Sequence, residues 1–203
     1  MEQVRVRLPV GPPIMKKSTH NAIQEAKEFA TKAHEGQFLK NASADPFITH
    51  PERVVQLLID ATATHDEIAS AWLHDVVEDT EVTIEAIKKL FGEKIGELVD
   101  GLTDPTHFSQ EPHRIRKAWQ AERVAGKGEG VKKVKLADQT VNTQMVGFDP
   151  PVGWDALQRL EYIEGARLIA LKCKGISSKL DKNFEKIYQK SFDEIRKDLG
   201  IEK

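Results

Sequence analysis

The chain of 203 residues holds little of several residue types, and each scarcity argues against a class of protein. Cys173 is its single cysteine, so an internal disulfide is excluded and a cysteine-based metal site is disfavoured. No apolar run approaches the ~20 residues of a membrane span. The formal net charge of −2 gives no electrostatic reason to expect nucleic acid or a membrane as a partner. We therefore expect a soluble, cytoplasmic protein, in which a local basic cluster could still receive a phosphorylated small molecule.

Apolar residues recur at helical spacing along most of the chain, and no segment alternates as a strand does. This pattern predicts an all-α protein, a compact helical bundle of irregular topology. Residues 1–17 are interpreted as an irregular N-terminal lead-in and residues 18–203 as a single domain. Nine helices are expected, the first beginning at a Ser18 or Thr19 cap and ending at His34, the second beginning near Pro51, and the others near 66–77, 84–91, 93–102, 114–124, 131–145, 154–174 and 177–199.

The apolar faces of these helices predict the core. In the middle of the chain Ile59 and Leu90 are counted among the core residues of their helices. In the two closing helices the same expectation holds for Leu157, Leu160, Leu168, Leu171, Leu180, Phe184, Ile187 and Ile195. The alternative for the closing helices is an oligomer interface, so a homo-oligomer stays open.

The segment from Ala71 to Thr80 is the most informative one. It places the pair His74-Asp75 in an apolar, helix-compatible run and follows it with the pair Glu78-Asp79. In a continuous helix, residues four apart share a face, so His74 would lie beside Glu78 and Asp75 beside Asp79. Buried charge is costly unless it is paired or bound to metal. A divalent cation would offset that cost.

Two further segments offer ligands of the same kind. His50 stands at a loop-to-helix junction, and Asp138 is followed one helical turn later by Asn142. Two imidazoles and two carboxylates suit Mn²⁺, Fe²⁺ or Mg²⁺, and Zn²⁺ is an alternative. A water on such a cation is acidified and becomes a nucleophile near neutral pH.

Each of these residues also has a simpler interpretation. His50 alone is explained as a capping or packing residue, and His74 with Asp75 as a buried hydrogen-bonded pair. Asp138 alone could form a salt bridge with Lys135. The pair at 78 and 79 alone is a solvated helix end. His20, His65, His107 and His113 have weaker cases as ligands, and it is the order of the motifs that favours a metal site.

That order resembles the HD-domain hydrolases of the RelA/SpoT group, and most of all their stand-alone members, the small alarmone hydrolases. The resemblance covers most of the chain from Ala22 to Lys174. Its motifs are Ala33-His34-Glu35-Gly36-Gln37, Pro46-Phe47-Ile48-Thr49-His50-Pro51, Ala71 to Thr80, Phe91-Gly92, Leu98 to Thr103, Lys135-Leu136-Ala137-Asp138 with Asn142, Gly153-Trp154 and Glu161-Tyr162.

The resemblance implies a reaction and a set of roles. The reaction is hydrolysis of the 3′-pyrophosphate of guanosine tetra- and pentaphosphate, with release of pyrophosphate. The metal ligands fall on His50, His74, Asp75 and Asp138, the metal being Mn²⁺ with other divalent ions as alternatives. The catalytic carboxylates fall on Glu78 and Asp79, and substrate contacts on Lys40, Asn142 and Tyr162. The basic residues Arg114, Arg116 and Lys117 are expected to offset phosphate charge.

The chain departs from the family pattern at positions that concern the nucleotide. Leu39 stands where the family commonly has an arginine that packs on the base, and Phe47 where it has tyrosine. Gln139 follows Asp138 in place of lysine or arginine, and the arginine near Tyr162 is displaced to Arg159. Loss of a stacking cation weakens base recognition or admits another base. The length leaves no room for the synthetase domain of the bifunctional members, so no synthesis activity is expected.

Four alternatives to guanosine alarmone hydrolysis stay open. The chain could act on adenosine alarmones or another 3′-phosphorylated nucleotide, or be a general nucleotidase that releases a single phosphate. It could be a nucleotide-binding sensor without catalysis, which the departures favour and the complete set of candidate ligands and catalytic carboxylates disfavours. The last alternative is a helical interaction domain.

Overall fold

The computed structural model describes residues 19–201, with side chains described from residue 22 onward except that of Ser109. The lead-in over residues 1–17 and the cap at Ser18 lie outside this part. The helices are α1 (Thr19–Ala33), α2 (Thr49–Asp60), α3 (His65–Leu73), α4 (Val76–Asp79), α5 (Ile84–Phe91), α6 (Glu93–Leu102), α7 (His113–Ala125), α8 (Glu129–Phe148), α9 (Ala156–Cys173) and α10 (Ser178–Asp198), with a 3₁₀ helix at Thr106–Gln110.

The all-α prediction is confirmed. Within the described residues the β structure is limited to two isolated bridges, which join Phe38 to Pro46 and Asn41 to Pro151. None of the described helices is long and apolar enough to cross a membrane. Helix α6 begins and ends where the sequence pattern placed it, and Gly92, with φ +93°, separates it from α5.

Helix α8 lies at the centre of the bundle. It packs against α2, α3, α6, α7, α9 and α10. Its buried residues include the apolar Val134 and Leu136, as a core helix requires, but also Asp138 and Gln139. Because an ionised carboxylate is seldom buried without a partner, the centre of α8 points to a functional site.

The helix predicted over residues 66–77 is interrupted. Helix α3 ends at Leu73, and α4 is a single turn that begins at Val76. The ring Nδ1 of His74 donates to the carbonyl of Ala71 at 2.7 Å, which is the acceptor that a continuous helix offers to the N–H of Asp75. The face-sharing argument for residues 74–79 therefore holds only partly, since Asp79 N still donates to Asp75 O at 2.9 Å.

Several residues that were expected in the core are exposed. Ile59 is 49% and Leu90 50% exposed, and on α9 the same holds for Leu157, Leu168 and Leu171. The expectation was wrong for these because each helix buries only the stripe that meets a neighbour, and they lie outside it. On α10, by contrast, Leu180, Phe184 and Ile195 are buried as predicted.

The loop between α1 and α2 is fastened to the loop between α8 and α9. Asn41 Nδ2 donates to Asp149 Oδ2 at 2.5 Å, and the N–H of Val152 donates to the carbonyl of Lys40 at 2.8 Å. The side chain of Lys40 is exposed. These bonds therefore fix the backbone of Lys40 and leave its ammonium group in solvent.

Candidate metal centre and active site

Two histidine rings approach each other at the junction of α2 and α3. His50 lies in the first turn of α2 and His74 directly follows α3, and both side chains are buried. Their Nε2 atoms are 3.2 Å apart. Because Nδ1 of His74 donates to Ala71 O, Nδ1 carries a proton, and the neutral form of the ring would offer the lone pair of Nε2 to a cation.

Two carboxylates join these rings. Oδ2 of Asp75 lies 3.5 Å from His50 Nε2 and 3.2 Å from His74 Nε2. Oδ1 of Asp138, which comes from α8, lies 3.3 Å and 3.8 Å from the same two nitrogens. The structure therefore brings together all four residues that the sequence proposed as metal ligands.

The donor set fits a divalent cation. Two ligands that each lie about 2.1 Å from one cation, at right angles, are about 3 Å apart. The four nitrogen–oxygen distances and the Nε2 to Nε2 distance range from 3.2 to 3.8 Å. Two imidazoles and two carboxylates form a mixed N/O site of the type that borderline and hard cations prefer.

Charges around the cluster favour the ionised form of Asp138 and the protonated form of His74. Burial disfavours the charged form of Asp138, but Lys135 and the hydrogen bonds to His50 and His74 hold its pKa well below the usual range. Burial also lowers the pKa of His74, yet Asp75 and Asp138 outweigh that effect and raise it to about 9 in the metal-free protein. A bound cation would take the place of the proton that the carboxylates attract to His74.

Glu78 and Asp79 stand beside the cluster and remain open to solvent. Oε1 of Glu78 accepts a hydrogen bond from the N–H of Asp104 at 2.6 Å. Partial loss of hydration raises the pKa of Glu78 to about 7, against the charge of Lys135 and with the help of Asp75 and Asp104. The pKa of Asp79 is raised by the same loss of hydration and by Asp75. Glu78 can therefore exchange a proton near neutral pH.

The residues that the sequence proposed as substrate contacts lie in different parts of the site. Asn142 donates to Oδ1 of Asp138 at 2.5 Å, next to the metal ligands. The ammonium group of Lys117 lies 4.1 Å from the centre of the Tyr162 ring, and both residues border α8. Arg116 donates to His113 Nδ1 at 3.0 Å, while its Nε is buried without a partner. Lys40 lies at the solvent edge.

Sequence reasoning missed an aromatic cluster at this edge. The rings of His113, Trp154 and Tyr162 have centroids 4.9 to 5.5 Å apart. Partial burial and the charges of Arg116, Lys117 and Lys40 lower the pKa of His113. The motif Gly153-Trp154 was a signal for the tryptophan, whereas His113 sits in a segment with no such pattern.

Two more residues have roles that only the structure gives. His34 Nδ1 donates to Gln37 Oε1 at 2.7 Å, and Gln37 Nε2 donates to the carbonyl of Asp79 at 3.0 Å. The motif around His34 thus holds the backbone beside the candidate catalytic pair. Arg159 turns away from the site, because it donates to the carbonyls of Val146 and Gly147 and pairs with Asp198.

Comparison with known proteins identifies the family to which this chain belongs. A family model described as HD domain matches residues 26–145. The chain belongs to the HD-domain family. Guanosine-3′,5′-bis(diphosphate) 3′-pyrophosphohydrolase MESH1 of Mus musculus is 30% identical over 169 residues, which cover 82% of this chain and 93% of MESH1. Bifunctional (p)ppGpp synthase/hydrolase SpoT of Escherichia coli is 33% identical over 131 residues, 62% of this chain and 18% of SpoT.

The fold is shared as well. A solved structure described as a metazoan ortholog of SpoT that hydrolyzes ppGpp superimposes with a TM-score of 0.75 at 28% identity. The match covers 93% of this chain and all of that one. The resemblance to the stand-alone members of the RelA/SpoT group is therefore confirmed, and the protein is a metal-dependent phosphohydrolase of the HD-domain family.

Proposed function

We propose that this protein hydrolyses the 3′-pyrophosphate of alarmone nucleotides such as guanosine 3′,5′-bis(diphosphate) and releases pyrophosphate. The observation that carries the proposal is that Asp75 and Asp138 each lie 3.2 to 3.8 Å from the Nε2 atoms of His50 and His74, with two more carboxylates beside them. The names of the relatives, which cover most of the chain, point to the same reaction.

The four ligands would hold Mn²⁺, and other divalent cations are alternatives. When bound, the cation would polarise the phosphate oxygens and acidify a water molecule. The protein's own part begins with His74, whose hydrogen bond to Ala71 O keeps Nε2 turned to the cluster. Asn142 and Lys135 hold the two oxygens of Asp138 at 2.5 and 3.3 Å, so this ligand cannot turn away.

Glu78 and Asp79 would orient the attacking water and take up its proton. The water oxygen bonds to the phosphorus next to O3′ of the ribose, the P–O3′ bond breaks, and O3′ receives a proton. The raised pKa of Glu78, about 7, suits a group that accepts a proton and later returns it. The products are a nucleoside 5′-diphosphate and pyrophosphate.

The substrate would be held from the side of α7 and α9. Arg116 is half-buried with its guanidinium group beside His113, and the Tyr162 hydroxyl has no hydrogen bond to any described residue, so both side chains can contact phosphate oxygens. Lys40 adds positive charge from the opposite loop, and Asn142 stands next to Asp138. The ring cluster of His113 and Trp154 offers a stacking surface for a nucleoside.

The side chain at position 39 bears on which nucleotide base the site accepts. Leu39 is 8% exposed, and its N–H donates to the carbonyl of Asp45. It offers neither a cation for stacking nor a hydrogen bond to a base. This observation favours a site that also accepts the adenosine counterpart.

Initial rates with the guanosine and adenosine 3′,5′-bis(diphosphates), measured with Mn²⁺ and with EDTA, test the proposal. Ion-exchange chromatography separates pyrophosphate from orthophosphate. We expect metal-dependent pyrophosphate release and a small ratio between the two bases. Orthophosphate as the product would indicate a general nucleotidase. Binding of nucleotide and Mn²⁺ without turnover would indicate a sensor, and either result would contradict the proposal.

A further inference from the structure

A buried chain of side chains runs from α7 to the back of the metal centre. Lys117, Gln139 and Asp138 are 4%, 1% and 4% exposed. Lys117 Nζ donates to Gln139 Oε1 at 2.6 Å, and Gln139 Nε2 donates to Asp138 Oδ2 at 2.8 Å. An ammonium group can only donate and a carboxylate can only accept, so the two ends fix the orientation of the amide between them.

The two oxygens of Asp138 have separate partners. Oδ1 faces the Nε2 atoms of His50 and His74, where the cation would bind. Oδ2 receives Gln139 and lies 3.3 Å from Lys135. The bond from Gln139 therefore acts together with Lys135 on Oδ2 and Asn142 on Oδ1 to fix the rotation of the carboxylate and to point Oδ1 at the cluster. Partners of this kind, one shell behind the ligands, orient a ligand and adjust metal affinity.

The burial of the Lys117 amine costs folding free energy. Among the described residues no carboxylate lies within ion-pair distance of it, so the Tyr162 ring and Gln139 are its polar environment. Burial lowers the pKa of Lys117 to about 7. Gly165 of α9 admits its stem, since a Cβ there would lie 2.6 Å from Lys117 Cβ. A methionine would fill this space without the cost of burying an amine.

We propose that Lys117 is a positioning residue of the metal centre, which acts through Gln139 on Asp138, and not a phosphate ligand. With 4% of its surface exposed, it has little area left for a substrate. In place of the sequence expectation that Lys117 binds phosphate, this proposal gives it a path of two hydrogen bonds through Gln139 to Asp138. The inference rests on the proposed metal-dependent function.

Binding of Mn²⁺ without nucleotide, followed by electron paramagnetic resonance of the free ion, tests this separately from hydrolysis. We expect Lys117→Met to weaken Mn²⁺ binding about 10- to 100-fold, the usual effect of losing such a partner. The double variant Lys117→Gln with Gln139→Lys exchanges the two groups, so that a lysine at 139 donates to Asp138 and the amide at 117 accepts from that lysine, and it should bind Mn²⁺ within about threefold of the wild type. Lys172→Met, on the exposed side of α9, is the matched control and should bind as the wild type does.

Two results would overturn the inference. One is wild-type Mn²⁺ affinity in Lys117→Met together with a raised KM, since that is the behaviour of a phosphate ligand. The other is a folded double variant that binds Mn²⁺ as weakly as Lys117→Met. The double variant keeps the same polar groups, so it decides the question even if the single variant fails to fold. A wild-type protein that binds Mn²⁺ but hydrolyses nothing would refute the proposed function and leave this inference standing.

Discussion

Arg159 is predicted to be a structural residue, although the family pattern has an arginine nearby at the substrate. Its Nε and Nη2 donate to the carbonyls of Val146 and Gly147 at 3.0 and 2.7 Å, near the end of α8. Its Nη1 pairs with the half-exposed Asp198 at 2.5 Å. Arg159→Met keeps the apolar stem and removes all three interactions, so it tests this role directly.

The expected loss of stability follows from these contacts. Each buried carbonyl left without a donor costs about 1–3 kcal/mol, and the ion pair adds at most about 1 kcal/mol. Arg159→Met should therefore lower the free energy of unfolding by about 4 kcal/mol, out of the ~5–15 kcal/mol of a typical domain. In a chain of this size that shift lowers Tm by about 10 °C. Asp198→Asn, which removes only the ion pair, is the control and should cost about 1 kcal/mol or less.

Urea unfolding followed by circular dichroism gives the stability, and initial rates below the transition give KM. We expect Arg159→Met to unfold early while KM and Mn²⁺ affinity stay at the wild-type values. A variant that is as stable as the wild type, or one that is folded with KM raised tenfold, would refute the structural role and place Arg159 at the substrate.

Three further predictions concern the site itself. Glu78→Gln should lower kcat about 10²- to 10⁴-fold with Mn²⁺ still bound. It should also abolish the fall of the wild-type rate at acid pH, whose apparent pKa lies at or below about 7 because a bound cation favours the carboxylate. Unchanged turnover would contradict the role of Glu78. Arg116→Gln should raise KM about tenfold or more, whereas the exposed Arg114→Gln on the same helix should not; equal effects would exclude a specific contact. Lys117 loses its proton near pH 7 in the folded state and near 10.5 in the unfolded state, so between these two pH values the unfolded state binds more protons and stability rises with pH. In urea unfolding with EDTA, the wild type should gain about 1.4 kcal/mol per pH unit over Lys117→Met between pH 7.5 and 9. Parallel curves of stability against pH would contradict this.

Much of the fold could be predicted from local pattern. Gly92 separates α5 from α6, and Thr83 caps α5 by accepting from Ala86 N at 3.2 Å, both as their residue types indicate. The break at His74 could not be predicted, because it depends on a ring that takes a backbone acceptor. The apolar pattern of α9 was also misleading, since Leu168 and Leu171 belong to it and are 48% and 55% exposed.

The candidate ligands could be proposed from the sequence because each belongs to a short motif whose order is informative. Their surroundings could not, since those come from helices far apart in the chain. Lys117 meets Gln139 across 22 positions, and Arg159 meets Asp198 across 39. A basic residue on an amphipathic helix gives no sign of whether it points to solvent, to a phosphate or to a buried amide. Only the packing of α7 and α9 on α8 decides it.

The most direct test of the central claim is hydrolysis of guanosine 3′,5′-bis(diphosphate) in ¹⁸O-labelled water with the Mn²⁺-loaded protein, read by mass spectrometry. The account predicts guanosine 5′-diphosphate and pyrophosphate that carries one ¹⁸O atom, with both products lost after EDTA treatment and in His74→Ala. Orthophosphate, unlabelled pyrophosphate or an intact substrate would contradict it.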